Sequence, residues 1–229
     1  MGKQKLVVLS GAGMSQESGI ATYRDKDGLW EKYDAMALAT PEGWMRDPAL
    51  VLEFYNVRRE KVLQAEPNAG HLKIAALERD FDVQVVTQNV DDLHERAGST
   101  KVLHLHGEIR KTRSTKNPDL VYDIDGAELN IGDICELGSQ LRPHIVWFGE
   151  AVPNIEPAVE IISMADILLV IGTSLNVYPA AGLIDFAPSN CRKFLIDPGE
   201  ISARQFVDVH VIQEKAGVGM DRFIQMIMA

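Results

Sequence analysis

Residues 6–19 read LVVLSGAGMSQESG, and this stretch decides the fold class. An apolar run, Leu6 to Leu9, leads through a serine into a turn that holds Gly11 and Gly13. A short, uninterrupted apolar run with β-branched residues is the pattern of a strand buried on both faces. Similar runs recur at Val83 to Thr87, Ile167 to Ile171 and Phe194 to Ile196, with Val102 to His104 and Val209 to Ile212 as further candidates. Segments of helical spacing separate them. The alternation predicts an α/β fold, a Rossmann-like parallel sheet domain with a small inserted domain. In open sheets of this kind ligands sit beyond the carboxyl ends of the strands. Three of the strongest strands run directly into unusual polar or glycine-rich residues there: SGAGMS, QNVDD and GTSLN.

Working outward, the Rossmann-like part is expected over about 1–34, 79–110 and 141–229, with a helical insertion over about 35–78. Thr40-Pro41-Glu42 and Asp47-Pro48 are two helix starts within that insertion, since proline suits the first helical position. A second, small insertion is expected over about 111–140, where KTRSTKNPDLVYDIDGAELNIGD has turn residues and little periodicity. The chain of 229 residues is long enough for a substantial core. Its formal charge of −10 gives no long-range attraction to nucleic acid or an anionic membrane, so neither is an expected partner. No window approaches the length of a membrane span. The apolar stretch at the amino terminus is too short for a secretory signal. Cys135 and Cys191 match no disulfide or metal spacing, and a cytoplasmic location is expected.

The glycine loop departs from the dehydrogenase fingerprint, which would put its third glycine at Gln16 and an acidic residue at the end of a second strand about twenty positions on. Taken alone, Gly11 and Gly13 could serve only a tight strand-to-helix turn. They are followed, however, by GIATYRDKDGLW, and the whole stretch resembles the sirtuin signature nearly position by position. Ala21 stands where proline is usual and Tyr23 where phenylalanine is usual. The resemblance continues in order through TQNVDDLHERAG, LHLHGE, LRPHIVWFGEAVP and GTSLNVYPAAG, spanning roughly Lys5 to Phe223.

This resemblance implies an NAD-dependent protein-lysine deacylase that consumes NAD as a co-substrate and yields nicotinamide and O-acyl-ADP-ribose. Acylated proteins or peptides are the implied partners. His106 falls on the catalytic base, and imidazole suits proton removal near neutral pH. The implied NAD contacts are Gly11, Ala12, Gly13, Ser15, Thr22, Tyr23, Arg24, Trp30, Gln88, Asn89, Asp91, Gly172, Thr173, Ser174, Asp197 and Ala216. Asp197 stands where asparagine is usual, and a carboxylate accepts but cannot donate. Val146, Phe148, Gly149, Glu150 and Val177 are the implied substrate contacts, since the IVWFGE segment pairs with the peptide backbone as an added strand in sirtuins. A core strand is the plainer reading of that segment.

The family's structural zinc is not expected. Ser114 stands where the first of four cysteines would lie, and one thiolate, Cys135, cannot hold a tetrahedral zinc. The insertion is therefore expected to be held by its own packing, through Leu120, Val121, Tyr122, Ile124, Leu129 and Ile131. Within EFYNVRRE, Tyr55 and Arg58 are three apart and share a helical face. A core aromatic beside a surface charge would look the same. Together with WEKYDAMALATP and EPNAGH, these residues resemble the sirtuin subclass in which tyrosine and arginine grip a succinyl or malonyl carboxylate, with Ala35 leaving room for the acyl group. Two other outcomes share the NAD pocket: transfer of ADP-ribose to a protein side chain, and a noncatalytic NAD-binding regulatory module. The His106 position and the peptide-pairing segment favour deacylation over the first.

Overall fold

The computed structural model describes residues 2–21, 35–173, 180–199 and 208–228. Six strands form a parallel sheet: β1 (Lys5–Ser10), β2 (Asp82–Thr87), β3 (Val102–His104), β7 (Ile167–Ile171), β8 (Arg192–Ile196) and β9 (Val209–Ile212). Their order is β3-β2-β1-β7-β8-β9. The chain winds one way from β1 to β3, then returns to the other side of β1 with β7. The switch point thus lies between the carboxyl ends of β1 and β7, where open sheets of this class bind ligands. All six apolar runs lie in these strands.

Alternating residues of β1 feed two different cores, which is why the run has no polar member. Leu6 and Val8 pack with Ile74, Met220 and Phe223, whereas Val7 and Leu9 pack with Ala158, Ile162 and Leu183. The strand β7 divides likewise, with Ile167, Leu169 and Ile171 on the first face and Leu168 and Val170 on the second. The first face is covered by α4 (Ala69–Ala76) and α7 (Ala216–Met228), and the second by α6 (Ile155–Ser163) with the short helix Ala180–Phe186. Among the described residues no helix is long and apolar enough to cross a membrane.

The helical insertion contains α1 (Ala35–Leu38), α2 (Pro41–Arg46) and α3 (Pro48–Gln64). Both expected starts are capped: Thr40 Oγ1 accepts from Gly43 N at 2.9 Å, and Asp47 Oδ1 from Leu50 N at 3.0 Å. Such caps contribute about 1 kcal/mol each.

The second sheet is antiparallel, β5-β4-β6, built from β4 (Gly107–Ser114), β5 (Val121–Asp123) and β6 (Leu141–Ile145). It begins before residue 111 and ends after residue 140. Residues 107–110 and 141–145, placed with the large sheet on sequence, belong to the small one. Its packing also differs from the expectation. Of the six apolar side chains, Ile124 and Leu129 are buried, and they cluster with Leu52 of α3, while Val121 and Ile131 are exposed. The sheet is docked on α3 more than packed on itself. Arg59, fully buried on α3, completes the docking. Its Nε donates to Ile109 O at 2.6 Å and its NH1 to Ala127 O at 2.6 Å. Asn56 bridges the same gap through Leu129, donating to its carbonyl and accepting from its amide.

Candidate active site

At the switch point the glycine loop and the end of β7 lie against each other. A Cβ on Gly13 would stand 2.9 Å from the backbone of Gly172, whose own φ is +63°. Gly11 N donates to Ile171 O and Gly13 N to Gly172 O, at 3.1 and 2.8 Å. Met14 N and Ser15 N donate back to Gly11 O and Ala12 O within the loop. The glycines are therefore required by the close approach of two backbones, a demand that exists before any phosphate arrives.

Ser15, Asn89 and Asp91 form a buried polar cluster beside this contact. Asn89 Nδ2 donates to Ser15 Oγ at 3.0 Å, and Ser15 Oγ donates to Asp91 Oδ2 at 3.0 Å. Burial raises the pKa of Asp91, against the opposing effect of the bonds from Ser15 and Leu93 N. Gln88 Nε2 reaches Thr173 Oγ1 at 3.2 Å, joining the ends of β2 and β7. Asp197, buried after β8, accepts from Gly199 N at 2.8 Å, so its carboxylate shapes a local turn. Ala216 is buried at the start of α7. Polar groups at the carboxyl ends of four adjacent parallel strands, around a close-packed glycine contact, fit the dinucleotide expected here.

His106 lies between β3 and β4, and its Nδ1 is 3.0 Å from Gln88 O. A carbonyl can only accept, so Nδ1 carries the ring hydrogen and Nε2 is the basic nitrogen. Burial lowers the pKa of His106, while the bond to Gln88 works against that shift. His104 is not a metal partner for it. Its Nδ1 bonds Asn89 O at 2.9 Å and its Nε2 bonds Glu95 Oε1 at 2.8 Å. Burial opposes protonation of His104, but the bond and charge of Glu95, with Asn89 O and Glu108, together raise the pKa.

The segment after β6 leaves the strand and turns. Val146 N donates to His106 O and Phe148 N to Ala39 O, both at 2.9 Å, and Gly149 has φ +88°. Trp147 is buried, whereas Phe148 is exposed. The Glu150 side chain is already committed: it accepts from Arg142 at 2.7 and 3.0 Å, from Arg113 at 3.2 Å and from Trp147 N at 2.8 Å. Those bonds hold its pKa down against the effect of burial. It shapes the segment, whose amides at Val146, Trp147, Phe148 and Glu150 are all engaged within the protein.

Tyr55 is buried in the core of the helical insertion, and its hydroxyl accepts from Trp147 Nε1 at 3.0 Å. The Arg58 guanidinium, half-buried, lies over the rings of Phe54 and Tyr55 at 5.4 and 5.6 Å. Of the other expected site residues, Thr22, Tyr23, Arg24, Trp30, Ser174 and Val177 lie outside the described residues, as does the side chain of Ala35. The sequence reading missed Arg142, Arg113 and Trp147, whose roles rest on contacts made only after the chain turns back on itself.

Where the family's zinc cysteines would lie, the Oγ atoms of Ser114 and Ser139 are 2.8 Å apart, with Cys135 Sγ 3.3 and 3.2 Å from them. Two hydroxyls and one thiol are a poor donor set for a metal that takes four thiolate or imidazole ligands. Elemental analysis of the purified protein is expected to give well under one zinc per chain. Stoichiometric zinc that survives chelation is the contrary result.

The profile of the Sir2 family matches residues 11–179. An NAD-dependent protein deacylase of Bacteroides thetaiotaomicron is 50% identical over 230 residues, covering 98% of each chain. One of Helicobacter pylori is 51% identical over 213 residues, covering 93% of each. Among solved structures, a Sir2 homologue in complex with NAD aligns with a TM-score of 0.87 and 40% identity, covering 99% of this chain and 90% of that one. A Sir2 variant bound to a deacetylated p53 peptide and 3′-O-acetyl ADP-ribose aligns with a TM-score of 0.82 and 29% identity, covering 98% and 94%.

Proposed function

The chain belongs to the Sir2 family and is an NAD-dependent protein deacylase, and on that premise we propose that it favours lysine acyl groups that end in a carboxylate, such as succinyl and malonyl. The observation that carries this reading is the joint placement of Tyr55 and Arg58 on α3. The cation of Arg58 lies over the tyrosine ring, and the tyrosine hydroxyl is tied to Trp147 in the substrate-pairing segment. A guanidinium beside a phenol is a matched pair for a carboxylate, since the first presents a fork of donors and the second a hydroxyl. The test is a comparison of kcat/KM on one peptide carrying succinyl-lysine or acetyl-lysine, reading nicotinamide and free lysine. A preference for the acetyl peptide would sink the selectivity. Nicotinamide released with ADP-ribose left on protein would indicate the transferase chemistry instead.

In this reading NAD, when bound, supplies the ribose carbon that the acyl oxygen attacks and the ribose hydroxyl that takes up the acyl group. Asn89 and Asp91, with Ser15, shape the pocket for the nicotinamide amide, and Gln88 contacts the ribose. Thr173, Asp197 and Ala216 serve the adenosine side. Val146 and Phe148 offer their carbonyls and Gly149 its backbone to the peptide, while Trp147 and Glu150 keep the segment in place. His106 takes the proton of the ribose hydroxyl at Nε2, because Nδ1 is already occupied by the Gln88 carbonyl.

The depressed pKa of His106 sets the pH profile. A base works only when unprotonated, so activity should be full above its pKa and fall as pH drops through it. Burial places that pKa below the ordinary 6.5. The acid limb of kcat/KM, which reports the free enzyme, is therefore expected below pH 6.5, with activity retained in mildly acid buffer. A limb at or above the ordinary imidazole value would contradict the assignment.

A further inference from the structure

Two buried imidazoles have no part in the chemistry described so far. His71 on α4 and His94, on the short helix α5 (Leu93–Arg96), are 0% and 1% exposed, with ring centroids 4.8 Å apart and planes at 68°. Burying two polar rings is costly unless their nitrogens find partners. Each ring has one nitrogen bonded and one without a hydrogen-bond partner, namely His71 Nε2 and His94 Nδ1.

The bonded ends fix the tautomers. Asn68 N donates to His71 Nδ1 at 3.3 Å, closing the capping box at the start of α4. That nitrogen carries no hydrogen, so the proton of the neutral His71 ring sits on Nε2. Ser10 Oγ donates its single hydrogen to Thr87 Oγ1 at 2.8 Å. His94 Nε2, 2.9 Å from Ser10 Oγ, must therefore be the donor in that contact, which leaves His94 Nδ1 a bare acceptor. The two partnerless nitrogens on neighbouring rings are thus one donor and one acceptor. Burial keeps both rings neutral: it brings the pKa of His71 down to about 4 and that of His94 well below the usual value.

We propose that His71 and His94 are positioning residues for the reaction: the neutral His71 ring packs edge-to-face against His94, and from His94 a proton-ordered chain runs from Nε2 to Ser10 and from Ser10 to Thr87. The far end of the chain meets the pocket. Thr87 Oγ1 also accepts from Asn89 N at 3.0 Å, at the point where β2 ends and the polar cluster begins. Asn89 continues through Ser15 to Asp91, and the preceding residue, Gln88, holds His106 by its carbonyl. One chain of donors below the sheet therefore sets the backbone that carries both the nicotinamide-side cluster and the support of the base. This rests on the assignment of Asn89 and Asp91 to the nicotinamide side.

Two measurements on the full chain test the proposal. Long-range 1H–15N correlation of the 15N-labelled protein at neutral pH should find His71 and His94 both neutral with the hydrogen on Nε2. A hydrogen on Nδ1 of either ring, or a cationic ring, overturns it. The second measurement compares His94→Leu with His94→Gln, whose amide nitrogen can stand in for Nε2 and donate to Ser10. The leucine variant is expected to raise the KM for NAD roughly threefold to tenfold, as for loss of one neutral hydrogen bond, with the KM for the acyl peptide unchanged. The glutamine variant should recover most of that loss. Equal KM values for NAD in the leucine variant and the wild type, or a glutamine variant no better than leucine at matched Tm, also overturn it. If the leucine variant does not fold, the tautomers decide alone. Failure of the acyl selectivity would appear only in the peptide comparison and would leave both readouts as they are.

Discussion

His106→Ala is expected to lower deacylation by about a hundredfold to ten-thousandfold, the range for loss of a positioned general base, while NAD still binds. The size of the effect follows from geometry. His106 Nδ1 is fixed by Gln88 O, so the imidazole reaches the site in one tautomer and one orientation, and alanine leaves no group to take the proton. The NAD pocket should survive the change. Asn89 is held by Thr87, Ser15 and His104, and Asp91 by Ser15 and Leu93 N, none of which depends on His106. The measurement is kcat/KM for an acylated peptide beside calorimetric titration with NAD. Turnover near the wild-type rate would remove His106 from the base role. Loss of NAD binding in parallel with turnover would make it a structural residue.

Arg58→Met carries the second large effect. A charge-assisted bond from Arg58 to the distal carboxylate of succinyl-lysine contributes about 1.5–3 kcal/mol, or roughly a tenfold to more than hundredfold difference in kcat/KM. Desuccinylation should fall by that factor, mainly through KM if the contact is equal in ground and transition states. Deacetylation should change far less, because acetyl-lysine offers no carboxylate. Methionine keeps an apolar stem over the Phe54 and Tyr55 rings, so packing is largely retained. Tyr55→Phe is a less clean probe. It would remove the acceptor of Trp147 Nε1 and leave a buried indole N–H unpaired, so selectivity and stability would change together. Equal loss of both activities in Arg58→Met would mean that the residue serves the structure.

The strands were legible in the sequence because the sheet is covered on both faces. A residue such as Val7 and its neighbour Val8 must both be apolar when each faces a different core, and a continuous apolar run is the visible trace of that demand. The starts of α2 and α3 were legible because Thr40 and Asp47 act on amides only three residues away. What could not be read depends on partners distant in the chain. Ser10 and His94 are 84 positions apart, and neither residue alone hints at the other. The Glu150 carboxylate looks like a substrate contact in sequence, yet Arg142 and Arg113 claim it once β4 and β6 pair. The insertion misled for a related reason. Its apolar residues suggested a core of its own, and the surface that buries Ile124 and Leu129 belongs to α3 instead.

Arg58 and Arg59 are consecutive residues with opposite assignments, and a helix turns them to different sides. Arg59 is buried, and among the described residues it pairs with no carboxylate. It stays charged, its pKa brought down to about 10 first by burial and then by Arg110, and backbone carbonyls of the small sheet and the 124–129 stretch serve as its solvent. Across the gap to the small sheet this side chain meets backbone carbonyls, and on its own helix it donates to Asn56 Oδ1 at 2.8 Å. The small sheet must therefore keep both the path that passes Ile109 and Ala127 and the apolar side chains of Ile124 and Leu129 that pack on Leu52. A graft that alters that path would leave a cation stranded in the interior of α3, one position from the residue proposed to choose the acyl group. Shape in the outlying sheet and the acyl preference proposed for the pocket would then be inherited together, through two adjacent arginines.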